Sequence, residues 1–163
     1  MRRRLPQALL WALLIVIPDQ VSKYLAQNKM ALWESREIIP GFFSLTLVHN
    51  MGAAFGFLNS SDIDWQTPFF IGVTLLALGF ILYLLKTEAK GPLMVSGLGL
   101  IMGGALGNLI DRVAHRYVID FLDFSLGGWH WPAFNVADCG ISVGAGLVIL
   151  AYWIRQDHAS DPD

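Results

Sequence analysis

Residues 66–86 read QTPFFIGVTLLALGFILYLLK, a run whose only charged residue is its final lysine. A helix needs about 20 mostly apolar residues to cross the hydrocarbon core of a bilayer. Three more stretches on either side of this run meet the requirement, at about 5–27, 93–110 and 133–154. The sequence therefore predicts an α-helical integral membrane protein with four transmembrane helices, in which residues 1–163 form a single membrane domain.

The composition excludes several other classes of protein. Of the 163 residues, 55% are hydrophobic and 15% are charged, whereas about 25% are charged in a typical soluble domain. The net charge of −2 offers no basic surface for nucleic acid, so no nucleic-acid partner is predicted. Cys139 is the single cysteine, which excludes an internal disulfide and a metal site built from several cysteines.

The distribution of lysine and arginine predicts the orientation of the helices. The termini and the short 87–92 turn carry most of these residues, at Arg2, Arg3, Arg4, Lys86, Lys90 and Arg155. The longer segments 28–65 and 111–132 hold only Lys29, Arg36, Arg112 and Arg116. Because positive residues concentrate in cytoplasmic loops, both termini are predicted to be cytoplasmic and both long segments to lie outside. The first apolar run has no small-residue cleavage site, so the first helix is predicted to remain uncleaved.

The first outer segment predicts a small sheet at the membrane surface. Residues 43–47 (FSLTL) alternate between apolar and polar, which is the period of a half-buried strand. Residues 50–56 (NMGAAFG) are small and rich in glycine, a composition typical of close backbone approach. We therefore expect a small extramembrane β-cradle. The glycines and turn residues of 52–65 predict a mobile cover over a cleft.

Polar residues within the predicted spans collect at one depth. Asp19 lies in the outer half of the first span, Asn108 and Asp111 lie at the outer end of the third, and Asn135 and Asp138 begin the fourth. Ionisable groups inside membrane spans are costly and usually functional. Asn108 and Asp111 are three residues apart, as are Asn135 and Asp138, so each pair shares a helix face. This convergence predicts one polar site in the outer third of the membrane.

A loop carboxylate and a helix carboxylate can meet at this site. The 111–132 segment carries Asp120 and Asp123, and Asp138 lies at the start of the fourth span. Two carboxylates at one site do not easily both ionise, so one of them keeps a proton. A water molecule between them can then be deprotonated and added to an amide carbonyl. The pattern indicates aspartic-peptidase chemistry, with Asp123 interpreted as a solvated loop charge.

Two other functions remain open at this point. A proton-coupled transporter would use Asp19 and Asp138 as relay groups, although helices two and four lack polar residues toward the cytoplasmic side. A non-catalytic scaffold would pack through the small-residue face of the third helix, which is Gly99, Gly103 and Gly107. The G-x-S-x-G pattern at 140–144 lies inside a predicted helix, so it indicates helix packing rather than a nucleophile. Cys139 is interpreted as a buried structural thiol.

Five short segments, in order along nearly the whole chain, resemble the lipoprotein signal peptidase (signal peptidase II) family of bacterial membrane aspartyl peptidases. The segments are 19–23 (DQVSK), 50–55 (NMGAAF), 104–112 (GALGNLIDR), 118–121 (VIDF) and 131–138 (WPAFNVAD). The resemblance implies four spanning helices, a small extramembrane cradle and no metal or organic cofactor. It also implies a location in the bacterial inner membrane, with the active site near the outer face.

The resemblance further implies roles for individual residues. Asp120 and Asp138 would be the catalytic pair, while Asp19 and Lys23 would hold the fold. The residues that shape or support the site would be Asn50, Gly52, Asn108, Asp111, Arg112, Asn135 and Ala137. Within this set, we expect Arg112 to fix Asp111 and the loop that leads to Asp120.

The reaction implied by the resemblance is removal of the signal peptide from diacylglyceryl-modified prolipoproteins, with cleavage just before the lipidated cysteine. The implied partners are this substrate, the lipid bilayer and the peptide antibiotic globomycin as an inhibitor. The acyl chains of such a substrate stay in the bilayer, so its scissile bond lies near the membrane surface. That is the depth at which the carboxylates are predicted to meet.

Overall fold

The computed structural model describes residues 4–52, 65–89 and 91–157. Within these ranges the chain forms four long helices. They are α1 (Arg4–Lys29), α2 (Gln66–Thr87), α3 (Pro92–His115) and α4 (Val136–Asp157). Each helix contains a stretch long and apolar enough to cross a membrane, which confirms the predicted four-helix membrane fold.

The two helix boundaries nearest the cavity each differ from the predicted spans by three residues or more. α3 continues to His115 rather than ending at 110, and α4 begins at Val136 rather than at 133. The apolar pattern of the third span stops at Asp111, but the buried Asp111 carboxylate has an ion-pair partner within the protein, so the helix continues. It ends where Arg116 takes the left-handed conformation, with a φ of 70°. Asp111 therefore lies on a helix and not in a loop.

α3 is the most buried of the four helices, and glycines on two of its faces let its neighbours approach closely. On one face, a Cβ added at Gly103 would lie 2.6 Å from the Ala12 carbonyl oxygen of α1. On the other face, a Cβ at Gly97 would lie 2.8 Å from the Gly144 carbonyl oxygen of α4. Small residues at such positions allow membrane helices to associate through close packing. The glycines of the 140–144 pattern thus take part in helix packing.

The described residues also form a four-stranded antiparallel sheet, called the cradle below. Its strands are β1 (Ser35–Ile39), β2 (Phe43–Asn50), β3 (Val118–Leu126) and β4 (Trp129–His130), which pair in that order. The strand predicted at 43–47 is present and extends to Asn50. The cover predicted at 52–65 falls almost entirely on residues 53–64, which lie outside the described residues.

A β-bulge decides which side chains of the cradle point the same way. Leu45 pairs with Leu122, but Val48 pairs with Asp120, so β2 holds one extra residue between these two pairs. A shift of one residue moves the following side chains to the other face of a strand. Asn50 consequently shares a face with Asp120, and this arrangement is typical of bulges beside functional sites.

Candidate active site

Asp120 and Asp138 line the same cavity, as the sequence predicts. The cavity has a volume of about 620 Å³ and lies between the cradle, the C-terminal end of α3 and the N-terminal end of α4. Asp120 is the third residue of β3, and Asp138 lies in the first turn of α4. The other polar side chains that line the cavity include Asn50, Asn108 and Arg112. Its apolar wall continues along α4 to Val143.

The Asp120 carboxyl group is almost fully buried and accepts hydrogen bonds from two amides. Asn50 Nδ2 donates to Asp120 Oδ2 at 3.0 Å, and Asn135 Nδ2 donates to Asp120 Oδ1 at 2.6 Å. Burial and, to a smaller extent, the nearby Asp138 raise the pKa of Asp120 from 3.8 to about 7, against the two amide hydrogen bonds, which lower it. Asp120 therefore exchanges its proton close to neutral pH.

The Asp138 carboxyl group is held by the start of its own helix. Asn135 Oδ1 accepts a hydrogen bond from the Asp138 N–H at 3.0 Å, and Asp138 Oδ2 accepts one from the Asn135 N–H at 3.2 Å. This reciprocal pair is a capping box, which satisfies two backbone donors that would otherwise have no partner at a helix N-terminus. Asn108 Nδ2 donates to the other oxygen, Asp138 Oδ1, at 2.8 Å.

Asn135 contacts both aspartates and has no exposed surface. Its side-chain oxygen caps α4 at Asp138, while its side-chain nitrogen donates to Asp120. One amide group thereby fixes the carboxylate of the strand relative to that of the helix. This explains in physical terms why an asparagine three residues before Asp138 is suited to the site.

A buried ion cluster lies behind the two aspartates. Lys23 Nζ is 2.9 Å from Asp19 Oδ2 and 2.8 Å from Asp111 Oδ2, and it donates to Asn108 Oδ1 at 3.0 Å. The three protons of the ammonium group therefore have three acceptors. Asp19 and Lys23 are four residues apart, so they lie on the same face of α1.

The ion cluster holds the backbone just before each aspartate of the cavity. Asp19 Oδ1 accepts a hydrogen bond from the Ala137 N–H at 2.8 Å. Asp111 Oδ2 accepts one from the Ile119 N–H at 3.1 Å. Ala137 precedes Asp138, and Ile119 precedes Asp120. The cluster is thus a common support for both halves of the site.

The structure corrects the expected partner of Arg112. Arg112 was expected to fix Asp111, but Arg112 Nη2 donates to the Gly52 carbonyl oxygen at 3.1 Å, and its guanidinium lies 5.1 Å from the centre of the Phe70 ring. The reason is that adjacent residues on a helix point about 100° apart. Asp111 faces Lys23 of α1, whereas Arg112 faces α2 and the end of β2.

The structure also corrects the interpretation of Asp123 as a solvated charge. Asp123 lies in β3 with 9% of its surface exposed, and it accepts a hydrogen bond from Thr46 Oγ1 at 2.9 Å. His130 Nδ1 is 3.0 Å from its other oxygen. Side chains alternate along a strand, so Asp123, three residues after Asp120, points to the opposite face of the cradle.

Two further differences concern residues near the cavity. Cys139 was interpreted as a buried thiol, but it is partly exposed on the cavity wall beside Asp138. Gln20 was missed, although its Nε2 donates to Asp111 Oδ1 at 3.0 Å and to the Gly107 carbonyl oxygen at 3.2 Å. An amide within an apolar span is the signal that could have identified Gln20.

The fold of this chain is similar to that of a solved bacterial membrane enzyme. That structure superposes on this chain with a TM-score of 0.85 at 34% sequence identity, over 96% of this chain and 93% of the solved one. Fold and site together define a multi-pass bacterial membrane protein of the enzyme class.

The family described as Signal peptidase (SPase) II matches residues 11–154 of the chain. A lipoprotein signal peptidase from Maridesulfovibrio salexigens is 52% identical over 139 residues, which are 85% of this chain and 89% of the relative. Another, from Oleidesulfovibrio alaskensis, is 50% identical over 153 residues, which are 94% of this chain and 98% of the relative. The chain belongs to the signal peptidase II family, which confirms the resemblance and supports a peptidase over the transporter and the scaffold.

Proposed function

We propose that this protein is a membrane aspartyl endopeptidase that removes the signal peptide from diacylglyceryl-modified prolipoproteins, cleaving just before the lipidated cysteine. The observation that carries the proposal is the cavity with Asp120 and Asp138, whose carboxyl groups are held by one shared asparagine, Asn135. The relatives named lipoprotein signal peptidases support the substrate class.

The proposed mechanism needs one proton shared by the pair. The ionised aspartate takes a proton from a water molecule, and the resulting hydroxide adds to the scissile carbonyl carbon. The protonated aspartate donates to the carbonyl oxygen, giving a neutral diol. Collapse of this diol breaks the C–N bond. The aspartate that took the water proton passes it to the leaving amine, while the other aspartate takes a proton back from a diol hydroxyl, which restores the shared proton. The raised pKa of Asp120, at about 7, suits this chemistry because the proton is available at neutral pH.

The surrounding residues would hold the two carboxyl groups in position relative to each other. Asn50 and Asn108 each donate a hydrogen bond to one carboxylate of the pair. Arg112 would hold the end of β2 through the Gly52 carbonyl oxygen. The ion cluster would support the backbone next to both aspartates, through Asp19, Lys23, Asp111 and Ala137. None of these residues needs to contact the substrate to have its proposed effect.

The proposed location follows from charge and depth. The lysines and arginines at the termini and in the 87–92 turn favour cytoplasmic termini, so the cavity would open at the outer face of the inner membrane. Asp138 lies in the first turn of a spanning helix, and the apolar cavity wall extends along that helix to Val143. Such a wall suits a lipidated peptide, and also globomycin, which we expect to inhibit by occupying the cavity.

Cleavage by purified variants tests the proposal. A diacylglyceryl-modified prolipoprotein is incubated with the parent protein, with Asp120→Asn and with Asp138→Asn. Each variant is expected to lose about 10³-fold in cleavage rate because the pair can no longer act as both acid and base. Thermal unfolding in detergent checks that both variants are folded.

Asp123→Asn is the matched control, because Asp123 lies in the same strand as Asp120 but points to the opposite face. It is expected to cleave at close to the parent rate. A folded Asp120→Asn or Asp138→Asn variant that cleaves as fast as this control would contradict the proposed pair. The unmodified prolipoprotein, offered to the parent enzyme, tests the requirement for the lipid.

A further inference from the structure

Two turns of the cradle lie side by side at its far end. The turn between β1 and β2 contacts the end of β3, because the Ser125 N–H donates to the Phe42 carbonyl oxygen at 2.9 Å. The Phe124 ring packs edge-on against Phe42, with ring centres 5.4 Å apart. Residues 38–43 and 124–134 are therefore one surface, called the cradle tip below.

The cradle tip is apolar and exposed, and it carries no Asp, Glu, Lys or Arg. Leu126 is 73% exposed and Trp129 is 61% exposed. Its one titratable side chain, His130, has its Nδ1 atom 3.0 Å from Asp123 of the cradle. A contiguous apolar patch of this kind marks an interaction surface, and tryptophan is enriched where proteins meet the membrane–water interface.

An aromatic groove connects the cradle tip with the active-site cavity. The groove has a volume of about 330 Å³, and its walls include Phe42, Trp129, Trp131 and Phe134. Trp131 and Phe134 also line the cavity that holds the two aspartates. The far wall of that cavity belongs to α4, a membrane-spanning helix, down to Val143. The apolar surface is thus continuous from the spanning helix to the cradle tip.

We propose that the cradle tip inserts into the interfacial layer of the same bilayer that the helices span. The continuity of the apolar surface with a spanning helix, and the absence of charge from the tip, favour lipid over a soluble protein as the occupant. β3 runs six residues from Asp120 to Leu126, a distance of about 20 Å. The active-site strand would then be supported at one end by the helices and at the other by lipid.

This insertion would fix the height of the cavity above the bilayer, which adds to the proposed function without being required by it. A substrate whose acyl chains stay in the bilayer presents its scissile bond at a nearly constant height. A cradle that rests on lipid at its tip keeps Asp120 at that height. The tip would therefore support cleavage without touching the scissile bond.

The depth of a spin label tests the insertion directly. Leu126→Cys is made in a Cys139→Ser parent, labelled with a nitroxide, and reconstituted into vesicles of phosphatidylethanolamine and phosphatidylglycerol. Leu76→Cys, at a position 76% exposed in the middle of α2, serves as the bilayer reference. Collision with oxygen is compared with collision with a water-soluble nickel chelate, and free nitroxide in buffer is the aqueous reference.

We expect the label at Leu126 to favour oxygen over the nickel chelate, with a ratio between those of the two references. A ratio equal to that of free nitroxide would overturn the inference. This readout does not involve cleavage, so its failure would leave the proposed peptidase function untouched.

Cleavage in vesicles tests the consequence of insertion. Leu126→Asp places a charge in the tip, whereas Leu126→Phe keeps the tip apolar. Because the Leu126 side chain is exposed, neither substitution disturbs the buried core. Leu126→Asp is expected to cleave about tenfold more slowly than Leu126→Phe, the size of effect expected when part of the burial of one leucine is lost. Equal rates in vesicles would overturn the claim that the inserted tip supports cleavage.

Discussion

Two pairs of acids lie close together in this protein, and they differ in the groups that satisfy them. Asp19 and Asp111 share the ammonium group of Lys23, at 2.9 and 2.8 Å. Asp120 and Asp138 instead accept hydrogen bonds from amides and lie on an open cavity. A cation balances the charge of the first pair and fixes both side chains in place. Because the second pair is held by amides, it can keep a proton and exchange it, as the proposed mechanism requires.

Removing the cation should have the largest effect on the fold. Lys23→Met leaves two buried carboxylates without a counter-charge, so the free energy of unfolding is expected to fall by about 3–5 kcal/mol. Unfolding in a denaturing detergent measures this loss. Lys29→Met is the control, because Lys29 is exposed at the end of the same helix. Comparable stability of the two variants would contradict the supporting role of the ion cluster.

Removing the shared amide should break the link between the two aspartates while leaving the fold mostly intact. Asn135→Ala loses a helix cap, which costs about 1 kcal/mol. It also loses the hydrogen bond that lowers the pKa of Asp120. We expect a loss of about 10²-fold in cleavage rate and a shift of the alkaline side of the pH profile to higher pH. An unchanged pH profile in a slow but folded variant would indicate a purely structural role for Asn135.

The pH dependence of the parent enzyme sharpens the same comparison. The fold favours neutral Asp120, so the stability gained from this preference is complete below pH 3.8 and is lost as the pH rises through about 7. The proposed mechanism needs the shared proton, so kcat/KM is expected to fall about tenfold per pH unit above pH 7. The apparent pKa that this profile reports belongs to the pair of aspartates rather than to either one alone. A rate that stays flat well above pH 7 would contradict the shared proton.

A third carboxylate, Asp123, should give the smallest effect. Asp123→Asn retains a hydrogen-bond acceptor for Thr46, so the free energy of unfolding is expected to change by about 1 kcal/mol or less. Cleavage should remain within about twofold of the parent rate. Denaturant unfolding and a cleavage assay at neutral pH measure the two effects. A large loss of cleavage would mean that the two faces of β3 are not independent.

Much of this architecture could be predicted from the sequence, for a reason specific to membranes. Apolar runs such as 66–86 predict helices because lipid offers no partners for an unpaired backbone. Polar groups inside spans are costly, so the sequence also indicates the site through Asp19, Asn108, Asp111, Asn135 and Asp138. Gln20 is also a polar residue inside a span, so the same rule identifies it as a candidate site residue.

The remaining features depend on contacts between distant parts of the chain. The burial of Asp123 follows from pairing between β2 and β3, and the bulge that sets this pairing has no clear signal in the residues of β2. The partner of Arg112 depends on where α2 and the end of β2 come to lie. The ends of α3 and α4 depend on the protein partners of Asp111 and Asn135, which a hydropathy pattern does not contain.

The glycine contacts of α3 have a mechanical consequence for the enzyme. A Cβ at Gly97 would meet the α4 backbone, and a Cβ at Gly107 would lie 3.2 Å from the Ala137 side chain. Helices packed this closely cannot slide past each other without steric conflict. α4, which carries Asp138, is therefore held rigidly against α3. On the opposite side of the cavity, Asp120 is carried by the strand β3. We therefore expect α4 to stay in place when a substrate enters the cavity.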